Sequence, residues 1–142
     1  MAPPATVLVI DDDFDFVEFA RIVLESGGYK VHAAGRAPEG LALMRQIQPA
    51  VVLLDAVMSY TFNGLNVSRE IRCDPQLRGI PIILISAILT DDDLVPLQEH
   101  EDGPAYDLFM SKPIEPTDLL EQVRRFVSQR GPDRGTSCER SC

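Results

Sequence analysis

The stretch VVLLD at residues 51–55 is an unbroken aliphatic run that stops on a carboxylate. Such a run is too short for a buried helix and has no polar face, so it reads as a strand covered on both sides. Two further runs share the form. VLVI at 7–10 leads into Asp11-Asp12-Asp13, and Ile80–Ile85 leads into Ser86. Weaker strand candidates lie at Tyr29–Ala34 and Asp107–Met110, the second followed by Ser111-Lys112-Pro113.

Helical patterns fill the intervals. Phe16, Ala20, Val23 and Leu24 share one face of a segment that Gly27-Gly28 brings to a stop. Pro38 suits a first helical turn, Leu41, Met44 and Ile47 follow, and Pro49 ends the segment. A third helix opens at Asn63-Gly64 and runs to about Arg72. The last carries Leu119, Leu120, Val123, Phe126 and Val127 on one stripe. Between strands four and five, Pro96 would break a long helix, so any helix there is short or starts near that proline. Strict alternation of strand and helix implies a doubly wound parallel sheet with helices on both faces. In such sheets functional groups collect beyond the carboxyl ends of the strands.

The chain of 142 residues suits one domain, and its 45% hydrophobic content supplies one sizeable core. Residues 1–5 read as an N-terminal extension, 6–130 as the domain, and 131–142 as a polar, flexible tail or linker. The net charge of −9 argues against a nucleic-acid-binding surface and for cations or basic partner patches. No run approaches the ~20 apolar residues of a membrane span, and the N-terminus lacks a basic signal region. Cys73 stands alone, while Cys138 and Cys142 fall in the polar tail. This usage fits a reducing compartment, with the cytoplasm expected.

At the shared edge of the sheet, Asp11, Asp12 and Asp55 would meet Ser86 and Lys112. Two like charges ~4 Å apart repel by about 4 kcal/mol at an effective dielectric of ~20. The acids therefore call for a cation or for raised pKa values. Oxygen ligands with room for water suit Mg²⁺. An Asp nucleophile, a metal, a lysine and a hydroxyl together match phosphoryl transfer.

These motifs, VLVIDDD, VVLLDAVM followed by NG, IILISA and MSKP, occur in this order on successive strand ends. From about Thr6 to Ser128 the chain resembles the receiver domain of two-component response regulators. The resemblance implies a (βα)5 flavodoxin-like fold with a five-stranded parallel sheet of order 2-1-3-4-5. It implies Asp55 as phosphoacceptor, Ser86 and Lys112 as switch hydroxyl and lysine, and Phe109 as switch aromatic. Mg²⁺ would be held by Asp12, Asp55 and the backbone carbonyl of Val57, with Asp11 acting through water. A cis bond is expected before Pro113.

The partners implied are a sensor histidine kinase or phosphotransfer protein, and a downstream protein target or linked effector domain. A dimer is compatible with this reading, whereas direct nucleic-acid binding and a membrane are not expected. The protein would catalyse only its own phosphorylation and dephosphorylation. The sequence departs from the family where Ser59 follows Met58, in a longer loop carrying Tyr60 and Phe62, and in extra residues before Lys112. Two rival readings are a receiver-like binding module without phosphorylation and a haloacid dehalogenase-like phosphatase using Asp11. Capping of the first helix by Asp11–Asp13 is the bland alternative for the acids.

Overall fold

The computed structural model describes residues 5–55, 63–86 and 106–129. The elements in order are β1 (Thr6–Ile10), α1 (Phe14–Ser26), β2 (Lys30–Ala34), α2 (Ala37–Ile47), β3 (Val51–Asp55), α3 (Asn63–Cys73), β4 (Ile82–Ser86), β5 (Leu108–Ser111) and α4 (Pro116–Gln129). The five strands form one sheet of order β2-β1-β3-β4-β5, and every neighbouring pair is parallel. This is the doubly wound arrangement expected from the alternation of strand and helix. Any helix around Pro96 lies outside the described residues, as do residues 131–142. Among the described residues, no helix is long and apolar enough to cross a membrane.

Apart from Thr6 at the start of β1 and the polar ends Asp55 and Ser86, the central strands are apolar because each face of the sheet has its own cover. Leu8, Ile10, Val52, Leu54, Ile82 and Leu84 enter one buried cluster with Leu41, Met44, Val67 and Ile71 of α2 and α3. Their alternates Val7, Val9, Val51, Leu53, Ile83 and Ile85 enter the other with residues of α1 and α4. Full burial of each large aliphatic side chain is worth roughly 1.5–3 kcal/mol. The two clusters are therefore what hold the strands in their layers.

Local signals set the element ends. The N–H of Gly28, at φ +93°, reaches the carbonyl of Glu25, and that of Tyr29 reaches Leu24. This αL turn, which glycine enters without a Cβ penalty, terminates α1. Tyr29 is thereby used in the cap, and β2 begins one residue after the expected start. Similarly, β4 starts at Ile82 rather than Ile80. The fifth strand starts at Leu108 because Asp107 serves as a clasp. Its carboxylate accepts the N–H of Ile82 at 2.7 Å and pairs with the Arg72 guanidinium of α3.

Helix α2 lies unusually near the sheet. A Cβ on Gly40 would come within 2.5–3.0 Å of three side-chain atoms of Ile10, which is fully buried. Gly40→Ala should gain about 1 kcal/mol of helix propensity but force the stiff Ile10 side chain aside at a cost of about 1–3 kcal/mol. A net loss of about 1 kcal/mol is expected in urea unfolding.

Candidate functional site

The register of the sheet brings the polar strand ends together. Ile10 pairs with Leu54, so Asp11 follows beside Asp55. Asp55 pairs with Ile85, one residue before Ser86, and Ser86 pairs with Ser111, one residue before Lys112. The N–H of Lys112 then donates to the carbonyl of Ser86 at 2.9 Å, tying the two strand ends. The Lys112–Pro113 bond is cis. Asp11, Asp55 and Ser86 are buried, and Asp12 is exposed. Phe109 is half-buried against the cluster under α2 and α3, where it pairs with Leu84. Val57 lies outside the described residues, as do Ser59, Tyr60 and Phe62.

Asp11, Asp12 and Asp55 each offer a carboxylate oxygen, and these oxygens lie within 4.8 Å of one another. Asp11 Oδ1 accepts the N–H of Asp13 at 2.8 Å. Its Oδ2 lies 3.0 Å from Lys112 Nζ, a charge contact whose angle falls short of hydrogen-bond alignment. A buried carboxylate oxygen with no hydrogen bond, inside a triad of hard oxygen donors, fits a divalent cation.

The ammonium of Lys112 is held from two further sides. Asp13 Oδ2 lies 3.4 Å away, and the ring centroid of Phe16 lies 4.5 Å away. Desolvation alone would pull the lysine pKa down. Pairing with Asp11 and the charges of Asp55 and Asp13 outweigh it and hold the pKa above its ordinary value. Asp13 also caps α1, its side chain accepting the N–H groups of Asp15 and Phe16. The capping reading thus holds for the third acid of the run, while Asp11 and Asp12 join Asp55. The contact of Phe16 with Lys112 is absent from the sequence reading, where Phe16 is a core residue of an amphipathic helix.

The sequence pattern of the response regulator receiver domain matches residues 7–124. The chain belongs to the response regulator receiver domain family. Its receiver is 32% identical over 119 residues to the DNA-binding response regulator MtrA of Mycolicibacterium paratuberculosis, covering 83% of this chain and 49% of MtrA. It is 30% identical over 121 residues to the DNA-binding dual master transcriptional regulator RpaA of Synechocystis, covering 85% of this chain and 48% of RpaA. A solved receiver domain of a signal transduction histidine kinase from Syntrophus aciditrophicus superposes with a TM-score of 0.75 at 25% identity. That match covers 89% of this chain and 94% of the other.

These relatives correct the expected set of partners, in which direct nucleic-acid binding had no place. MtrA and RpaA are DNA-binding regulators, and this chain spans about half of each. The net charge of −9 describes the chain in hand. The acidic charge of this chain is therefore no argument against nucleic acid as a partner of regulators of that kind.

The two tasks of Asp13 separate by substitution. Asp13→Ala removes the cap and should cost about 1 kcal/mol in urea unfolding, whereas Asp13→Asn keeps a capping oxygen and should cost less. Burial would raise the Asp13 pKa, but the Phe16 N–H and Lys112 hold it below its ordinary 3.8. A carboxyl lowered in the folded state contributes its stability above pH 3.8 and loses it as pH falls through the lowered value. The difference between wild type and Asp13→Asn should therefore close below that window.

Proposed function

We propose that this receiver is a phosphorylation-controlled switch. In this reading Asp55 accepts a phosphoryl group from a histidine kinase or phosphotransfer protein. Mg²⁺ would be held by Asp12, Asp55 and the Val57 carbonyl, with Asp11 acting through water. The observation that carries the reading is the triad of carboxylates within 4.8 Å, beside an ammonium 3.0 Å from one of them. When bound, Mg²⁺ supplies positive charge to the phosphoryl oxygens.

A carboxylate oxygen of Asp55 forms the new bond to phosphorus. The bond from phosphorus to the donor's nitrogen or oxygen breaks, and the leaving group departs with that electron pair. Lys112 offsets charge on the transferred group, and the Ser86 hydroxyl donates to one of its oxygens. Because the Lys112 N–H is bonded to the Ser86 carbonyl, a pull on either side chain loads the same pair of strand ends. Phe109, half-buried on the neighbouring strand, is the aromatic we assign to respond. By likeness to MtrA and RpaA, the controlled output is DNA binding by a region outside this chain.

The phosphatase reading fits less well. It leaves Asp55, buried and within 4.8 Å of the carboxylate oxygens of Asp11 and Asp12, without a role.

Incubation with acetyl phosphate and Mg²⁺ should add one phosphoryl group by intact mass, and Asp55→Asn should take none. No gain on a folded wild-type protein would favour a binding module without phosphorylation. Separately, Mg²⁺ at 100 times its Kd should raise unfolding free energy by about 2.7 kcal/mol. In Asp12→Ala that gain should vanish, while the metal-free variant melts no lower than wild type because a repulsion has been relieved. A metal-free melt of Asp12→Ala clearly below wild type would count against mutual repulsion among the acids.

A further inference from the structure

Lys112 reaches the site from the end of β5, yet two of its neighbours belong to the start of α1. The ammonium contacts Asp13 Oδ2 at 3.4 Å and stands 4.5 Å from the Phe16 ring centroid, in addition to its 3.0 Å contact with Asp11. Asp11 and Asp13 form ion pairs with it, and the charge of Asp55 acts on it as well. An ammonium has three donors on a point charge and shares them among whatever acceptors are in reach. A ring face adds attraction for the cation without offering a competing site for a proton.

We infer that Asp13 and Phe16 are positioning residues that hold Lys112 on the α1 side of the site, and that this hold acts as a brake on phosphoryl transfer to Asp55. The inference rests on the reading of Asp55 as acceptor. An incoming phosphoryl group must draw the ammonium away from Asp13, so part of the lysine's attraction is spent on leaving that contact. The brake is built into the helix start. Asp13 cannot swing freely to follow Lys112, because its other oxygen accepts the N–H groups of Asp15 and Phe16.

The test uses Asp13→Asn, which keeps a capping oxygen, and Phe16→Leu, which keeps apolar bulk. In the unphosphorylated protein the side-chain methylene protons of Lys112 next to the ammonium should be shifted upfield by the Phe16 ring. The shift should disappear in Phe16→Leu and shrink in Asp13→Asn. With acetyl phosphate and Mg²⁺, the initial phosphorylation rate of Asp13→Asn should rise about two- to fivefold, the range set by a partly exposed ion pair.

Asp15→Asn removes the same charge from the same exposed helix turn without touching the Lys112 contacts, and its rate should match wild type. Equal acceleration in Asp15→Asn would assign the effect to general charge and overturn the brake. An unchanged rate in Asp13→Asn, or a wild-type Lys112 with no ring-induced shift, would overturn it as well. A wild type that shows the shift but takes no phosphoryl group would overturn the Asp55 reading, and the brake with it.

Discussion

Two buried carboxylates at the ends of adjacent strands, with a third acid beside them, form an arrangement that a folded chain does not tolerate without compensation. Asp11 and Asp55 are withdrawn from water, and Asp12 completes the triad. Inside the protein, like charges at this spacing oppose folding by an amount comparable to a sizeable part of a domain's net stability. Lys112 is the compensation the chain itself provides. Its contacts with Asp11, Asp13 and the Phe16 ring bring three residues of one stretch, from the end of β1 into α1, around an ammonium delivered from the end of β5. What that single charge leaves unneutralised makes the site receptive to a divalent cation.

The placement of these groups follows from the register of a parallel sheet. Parallel strands bring all their carboxyl ends to one edge, and the pairing of β1, β3, β4 and β5 aligns those ends to within one residue. That register is fixed by burial on both faces, since a one-residue slip would exchange the clusters beneath the helices. Asp107 and Arg72 add a polar clasp at the opposite edge, where β5 enters the sheet beside β4 and α3. The strand carrying Lys112 is thus secured at its start by ionic bonds and at its finish by the bond from the Lys112 N–H to Ser86.

Much of this was legible in the residues. Val51–Leu54 and Val7–Ile10 announce buried strands because they offer no polar face, and the acids that follow them stand out against that background. Asp12, Asp55, Ser86 and Lys112 could be singled out because each ends or follows a strand. What escaped the sequence depends on side chains from distant segments. Phe16 has the spacing of an ordinary core residue, and only the reach of Lys112 from the end of β5 to the start of α1 gives it a cation. Asp107 looked like the first residue of a strand, whereas its carboxylate binds the backbone of the neighbouring strand instead. Gly40 carried no signal, because the reason for a glycine is the Ile10 side chain opposite it.

The closeness of α2 to β1 has a consequence for genetics. Ile10 is the residue immediately before Asp11, so whatever displaces it from behind displaces the first acid of the triad as well. A screen for lost signalling would therefore recover changes at position 40 alongside changes in the acids themselves. Mapped onto the linear sequence, such alleles would seem to mark a second functional region in α2. They would instead be lesions of the same site, reached through the thickness of the sheet.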